Sequence, residues 1–386
     1  MTDMIGSYFP VPKPRCLAQR EVVPYLLRHK LISLESIVQG DLAVVDSSRR
    51  NHNFKVINGN GPSYLLKQGV DPGRIATVAR EGTVYQLLFS DAGNDGVHRY
   101  LPHFYGYDAE EHILILEFLR NAQDLRGYYV RRGPFFTAPA VALGNALGIL
   151  HHTRQIGGKR VEDIQGLAHK LPSVLSLHHP NLSIFRDISN ANLQIIHMIQ
   201  QFPEFCELLD SLRREWRTQT LIHFDIRWDN CLVSAHSATR RKIELKLVDW
   251  ELAGVGDPCW DVGSVFNDYL SCWLLSIPIT GETPPDRFPE LARYPLHKMQ
   301  PALRSFWRSY VRRMELDTAA SEEWLLRAVK YAAARLVQTA FEHMQMAVQR
   351  TSDVVCLLQI SLNMLRRPQE AMVHLLGIPL QEMSRP

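Results

Sequence analysis

Two carboxylates and an amide stand at the ends of neighbouring apolar runs in LIHFDIRWDNCLV and, after a basic spacer, KLVDWELAGVGDPCWD. Asp225 and Asn230 fall in a short loop just before the run that starts at Cys231, and Asp249 follows the run Ile243 to Val248 at once. Their oxygens suit Mg2+, a hard ion that takes one or two carboxylates and keeps phosphate and water as its other ligands. Phosphoryl transfer needs such an ion, and it needs a carboxylate to orient or deprotonate the attacking hydroxyl. Taken singly, either aspartate is also an ordinary turn residue after a strand.

These residues need strands and helices to hold them. From Asp41 the chain reads as a strand (DLAVVDSS) with a polar turn, then two more strands, FKVIN and SYLLKQG, joined through Gly59, Asn60 and Gly61. Arg74 to Ser90 carries apolar residues at helical spacing. HFYGYDAEEHILILEFL reads as a further hairpin, turning at Asp108 to Glu111. After Leu119 the pattern is mostly helical. It includes a helix from Pro139 to Thr153 and further helices over 155 to 220, broken by Pro172, Pro180 and Pro203. Ser321, followed by Glu322 and Glu323, has the makings of a helix start. The expected fold class is α+β, with three segments: an extension over 1–40, a small antiparallel-sheet lobe over 41–119, and a large helical lobe over 120–386. A cleft between two such lobes is a common place for a ligand.

At 386 residues, with 46% hydrophobic and 22% charged residues, the chain can bury substantial cores and is long enough for two. A net charge of +3 does not call for a nucleic-acid partner, which favours a clustered basic stripe. Six scattered cysteines without CxxC spacing suggest reduced, mostly buried thiols. The N-terminus lacks a signal-peptide core, and the most apolar stretch, Tyr269 to Ile279, is too short to cross a bilayer. A cytoplasmic protein with no membrane partner is expected. Nothing in the composition bears on oligomeric state.

The spacing His223-x-Asp225-x-x-x-x-Asn230, then Asp249-Trp250-Glu251, then Gly256-Asp257-Pro258-x-x-Asp261, resembles the aminoglycoside phosphotransferase and choline kinase family. The resemblance covers roughly Asp41 to Tyr269. It implies a bilobal protein-kinase-like fold, ATP and Mg2+ as cofactors, and transfer of the ATP γ-phosphoryl group to a hydroxyl. It makes Asp225 the catalytic base and Asn230 and Asp249 the metal ligands. Asp261 would brace the loop from the next helix. Arg227 stands where such kinases carry a cation. It would either stabilise the transferring phosphoryl group or pair at the surface with Asp229.

On the nucleotide side, the resemblance pairs Lys67 of the third strand with Glu81 of the following helix, to position the phosphates. Glu110 and Glu111 are the other acids nearby, in a predicted turn. The turn DSSRRNHNF holds no glycine, so Ser47, Ser48, Arg49 and Asn51 are the candidates for phosphate contacts; an exposed polar turn is the plain reading. Glu117 and Leu119 would offer backbone groups to adenine. His151 and His152 read as core histidines. Only eleven residues separate Asp249 from Asp261, too few for a regulated activation loop.

The acceptor is less legible. Arg304, Arg308, Arg312 and Arg313 cluster on one helix, most simply as a solvated face, and weaken the case for a polycationic antibiotic. A small-molecule hydroxyl is the leading expectation. A Ser or Thr of a peptide, or a non-catalytic ATP-binding scaffold, are the alternatives. Gly157 to Thr218 and Ile277 to Lys298 are the expected acceptor-side elements.

Overall fold

The computed structural model describes residues 16–40, 42–48, 51–90, 96–132, 135–153, 155–156, 159–160, 164, 167–169, 171–181, 188–235, 243–278, 285–347, 349 and 351–379. The Pro-rich start and Arg49 lie outside them, as do parts of both acceptor-side segments. The chain divides into two compact units, one of residues 1–89 with 102–120, the other of residues 90–101 with 121–386.

In the first unit, α1 (Val22–Arg28) and the short α2 (Leu34–Val38) precede the sheet. Five antiparallel strands follow: β1 (Leu42–Asp46), β2 (His52–Asn58), β3 (Tyr64–Gln68), β4 (Phe104–Asp108) and β5 (Ile113–Glu117), in the order β1-β2-β3-β5-β4. The period-2 alternation of strands decides what each face carries. Phe54, Val56, Tyr64, Leu66, Ile113 and Ile115 pack with Leu17, Val22, Tyr25, Leu26 and Ile32 into one buried cluster. Residues 16–32 are thus built into this core rather than standing apart from it. Polar contacts fasten them. Gln68 accepts from the Leu17 amide (2.9 Å) and donates to the Glu111 carbonyl (3.0 Å), and Tyr25 Oη donates to Asp108 (3.1 Å). Lys67 is offset by one residue from Leu66, so it points to the opposite face. There α3 (Pro72–Ser90) buries Val78, Glu81, Val84, Tyr85 and Leu88.

The second unit opens with β6 (Gln123–Asp124), α4 (Leu125–Arg132) and α5 (Thr137–His152). Residues 155–169 differ from the helices expected there. They hold the two-residue strands β7 (Gln155–Ile156), β8 (Lys159–Arg160) and β9 (Ala168–His169). The adjacent glycines Gly157 and Gly158 disfavour a helix at the start of this stretch. The helices α6 (Asn190–Gln200) and α7 (Pro203–Arg214) come later. The strands β10 (Thr220–Ile222), β11 (Cys231–Ala235), β12 (Ile243–Leu247) and β13 (Gly254–Gly256) then make two small sheets, β10-β13-β9 and β12-β11-β6. Helices complete the unit: α8 (Pro258–Leu274), α9 (Leu296–Met314), α10 (Thr318–His343), α11 (Ser352–Arg366) and α12 (Pro368–His374).

α8 is buried along almost its whole length. It can lie close to α10 because residue 263 is glycine: a Cβ there would sit 2.8 Å from the Ala328 carbonyl oxygen. Gly144 does the same for α5 against α9, where a Cβ would meet the Phe306 oxygen at 2.4 Å. The start of α8 is fixed by Asp257, which caps it through the Cys259 amide (3.0 Å), accepts from Tyr331 Oη (3.1 Å) and pairs with the buried Arg327 (3.1 Å). All six cysteines are free. Only Cys231 and Cys259 are buried; Cys206, Cys272 and Cys356 are half-buried and Cys16 is exposed, so burial is less general than expected. No described helix is long and apolar enough to cross a membrane.

The helix expected to start at Ser321 starts three residues earlier. Asp317 caps α10, accepting from the Ala320 amide (2.8 Å), and Ser321 lies buried inside the helix. An aspartate at the N-cap satisfies a free amide and meets the positive end of the helix dipole with a full charge. Asp317→Ala is therefore expected to cost about 1 kcal/mol in urea denaturation, and Ser321→Ala clearly less. Equal losses would return the cap to Ser321.

Candidate functional site

The loop carrying Asp225 leaves β10 at Ile222 and is held from below by α8. Asp261, fully buried in the first turn of α8, accepts from the His223 amide through Oδ2 (2.7 Å) and from the Phe224 amide through Oδ1 (3.0 Å). Trp260 Nε1 donates to the Phe224 carbonyl (2.9 Å). Phe224 has φ +72°, a left-handed conformation that a bulky residue keeps only when its surroundings impose it. His151 is a buried core residue, with Nε2 3.3 Å from Asp261 and Nδ1 2.9 Å from Tyr310 Oη.

Asp249 follows β12 with φ +69° and ψ +61°. His223 joins its segment to the loop: Nε2 lies 3.0 Å from the Val248 carbonyl, and the ring lies 4.5 Å from that of Trp250. A carbonyl only accepts, so His223 carries its proton on Nε2. The Val248 amide donates to the Asn230 carbonyl (3.0 Å), which ties the metal-candidate residues to each other.

Asp225 is partly buried and well contacted. Arg227 Nε donates to Oδ1 at 2.8 Å, and Arg335 of α10 approaches the same oxygen at 3.8 Å. Asn230 Nδ2 donates to the Asp225 carbonyl (2.9 Å) and lies 3.4 Å from Oδ2. Arg227 does not pair with Asp229. Its other contact is Glu342 at the end of α10 (3.0 Å), while Asp229 takes Arg126 (2.9 Å). The fork of Arg227 reaches both carboxylates at once, which a pairing with the exposed Asp229 would forfeit. Arg335 is buried, with its guanidinium 5.4 Å from the Trp260 ring centre. Burial pulls its pKa below the ordinary value, against the opposing pull of Asp225. Neither Arg335 nor Glu342 was singled out from the sequence. The available signal was a lone arginine inside the apolar run YAAARLVQTA, where a buried charge requires a partner.

In the first unit, Lys67 Nζ donates to both carboxylate oxygens of Glu81, at 3.0 and 2.9 Å. Both side chains are buried. Glu111 instead meets Arg28 (3.2 Å). Ser48 holds the β1–β2 turn: its amide donates to Asp46 (2.8 Å), and its hydroxyl accepts from the Asn53 amide (3.1 Å) and lies 3.2 Å from His52 Nδ1. Asn51 is half-buried just before β2. Glu117 is anchored to His103 through its amide (2.8 Å) and its carboxylate (3.0 Å), and Leu119 is half-buried two residues beyond it.

With this geometry in view, comparison with known proteins is direct. The family model described as "Phosphotransferase enzyme family" matches residues 41–276, more than half the chain, and the chain belongs to that family. It is a phosphotransferase. No curated protein matches it significantly in sequence. Among solved structures it is similar to the amicoumacin kinase hAmiN in complex with AMP-PNP, Ca2+ and Ami, at 14% identity and TM-score 0.56, over 95% of this chain and 100% of that one. A choline kinase from Cryptosporidium parvum Iowa II gives 14% identity and TM-score 0.53, over 94% and 99%. The GDP and kanamycin complex of APH(2")-IIia gives 13% identity and TM-score 0.50, over 91% and 98%. At such identities the likeness is one of fold, and it agrees with the expected protein-kinase-like α+β class.

A further carboxylate, Asp268 of α8, accepts from the Trp228 amide inside the same loop. Burial pushes it up to about 7, against the Trp228 hydrogen bond and the guanidinium groups of Arg126, Arg335 and Arg227. The folded protein thus holds this proton more tightly than the unfolded chain does. The associated stability is complete below the unfolded carboxylate range and is lost as pH rises through about 7. Between about pH 5 and about pH 8, wild type is expected to lose a few kcal/mol more than Asp268→Asn in urea denaturation. Parallel pH profiles for the two proteins would contradict the raised value.

Proposed function

We propose that Asp225, Asn230, Asp249 and Lys67 carry the transfer, moving the γ-phosphoryl group of ATP to an alcohol hydroxyl with Mg2+ as the divalent ion. The observation that carries this reading is the state of Asp225. Oδ1 is occupied by Arg227 and Oδ2 takes only the longer contact of Asn230 Nδ2 (3.4 Å), so Oδ2 is the oxygen with capacity to accept the hydrogen bond of an acceptor hydroxyl. Asp225 is held in place by Arg227 and Asn230. It acts chiefly by orienting the hydroxyl, which suits a loose transition state with little early demand for proton removal.

The donor set fits Mg2+. Asn230 turns its amide nitrogen toward Asp225, which leaves Oδ1 as its free donor, and Asp249 adds a carboxylate; both are hard oxygen ligands. When bound, the ion neutralises charge on the phosphate oxygens. Lys67, held by its bidentate pairing with Glu81, is the side chain of the first unit that would meet the nucleotide phosphates in this reading. Ser48 and Asn51 of the β1–β2 turn, and the backbone at Glu117 and Leu119, are the further nucleotide contacts in this reading. Arg227 stands close enough to Asp225 to meet charge developing on the transferred group.

The charges around Asp225 favour a neutral or anionic acceptor. Arg227 and Arg335 balance Asp225 and Glu342, so this neighbourhood carries no surplus of acid to draw in a polycation.

Asp225→Asn is expected to lower turnover by about 10^2- to 10^4-fold while circular dichroism and ATP binding stay as in wild type. Asp249→Asn is expected to abolish metal-dependent ATP binding. The measurement is ADP release against a panel of sugars, amino alcohols, aminoglycosides and Ser-containing peptides. Undiminished turnover in Asp225→Asn would overturn the assignment. An aminoglycoside as best substrate would overturn the reading of acceptor charge. Lys67→Ala is expected to raise the KM for ATP by more than about tenfold, with a smaller change in the KM for acceptor. An unchanged KM for ATP would remove Lys67 from the nucleotide side.

A further inference from the structure

Outside these residues, one cluster of ligand-type side chains forms among the described residues, where the turn after Pro172 meets α7. A 3-10 turn spans Ser173–Ser176, and its continuation is held by amides of Leu177 to the Val174 carbonyl (3.2 Å) and of His179 to the Ser176 carbonyl (2.9 Å). This curl brings the adjacent rings of His178 and His179 to the same side, with centroids 4.1 Å apart; an extended strand would send them to opposite faces. Both Nε2 atoms face Asp210 of α7. His178 Nε2 lies 3.3 Å from Oδ1, and His179 Nε2 lies 3.3 Å from Oδ2. The three donor atoms all lie within 4.8 Å of one another.

Two features point beyond an ordinary ion pair. His178 is 2% exposed, and neither of its ring nitrogens has an aligned hydrogen-bond partner, although Nε2 stands close to a carboxylate. A buried polar nitrogen in that state is costly unless something else satisfies it. Two donors each about 2.0–2.1 Å from a tetrahedral ion stand about 3.3 Å apart, the separation seen here for each histidine against Asp210.

We propose that His178, His179 and Asp210 form a binding site for a zinc-type divalent transition metal, fastening the 173–181 turn to α7. Imidazole and carboxylate ligands select such an ion over Mg2+, which prefers oxygen alone. Neutral imidazoles and an ionised carboxylate are the forms that bind metal. The ion has a way in, because His179 is exposed and lines an open hollow of about 230 Å3 shared with Gln338 and Phe341 of α10. Three protein ligands leave the fourth position for water or a small ligand entering from that side.

The test is a Co2+ titration of the untagged protein in excess Mg2+, which fills oxygen-only sites without engaging imidazole. Wild type is expected to bind one equivalent, with the strong visible absorption of four-coordinate Co2+, and Zn2+ should displace it. His179→Ala, a change at an exposed side chain, and Asp210→Asn are each expected to weaken binding about tenfold or more, with circular dichroism unchanged. Absence of the absorption in wild type, or equal binding in wild type and both variants, would overturn the proposal.

Discussion

A single buried carboxylate holds the shape of the loop on which the site rests. Asp261 accepts two consecutive amides, those of His223 and Phe224, and Phe224 is kept in a left-handed conformation that costs on the order of 1–3 kcal/mol. Two amide hydrogen bonds to a fully buried carboxyl group offset that strain. The carboxylate is itself supported, since His151 of α5 touches it and in turn meets Tyr310 of α9. Three helices therefore converge on two peptide units, and the direction of Asp225 follows from the turn those units make.

The link from this loop to Asp249 is equally specific. His223 reaches the Val248 carbonyl with a protonated Nε2, and that tautomer leaves Nδ1 as a buried lone pair without a partner among the described residues. With the Asn230 carbonyl accepting from the Val248 amide, the loop and the end of β12 are joined at two points. Asn230 and Asp249 thus have their spacing set by backbone contacts as well as by their own side chains. That pre-organisation would matter under the proposed reading, in which the two share an ion.

Much of this was legible in the chain because it is local. The spacing from His223 to Asn230 and the Asp249-Trp250-Glu251 run mark the loop and the strand end, and alternation in SYLLKQG separates Lys67 from the apolar face of β3. The β-hairpins and the long helix of the first unit follow from turn chemistry and periodicity. What escaped is what tertiary packing decides. Arg335 and Glu342 meet the loop from more than a hundred residues away, and no local pattern encodes that contact. Asp317 outcompeted Ser321 as a cap because a full charge and a free amide met there, although both sequences look like helix starts. Residues 155–169 read as helix from their surroundings, yet Ala168–His169 is taken up as a parallel partner of β13, a pairing that only the β10–β13 sheet creates.

The long helix α10 shows how the charges of the site and the stability of the fold are made to agree. Arg327 and Arg335 are eight residues apart, about 12 Å along the axis, and both are buried. The first guanidinium meets Asp257 at the start of α8, and the second stands beside Asp225. Neither is stable there alone, because an unpaired buried charge is strongly unfavourable. Each arginine therefore requires its aspartate in place, and a shift of α10 along its axis would disturb both pairs together. The placement of Asp225 is in this way tied to the packing of the helix, established before any substrate arrives.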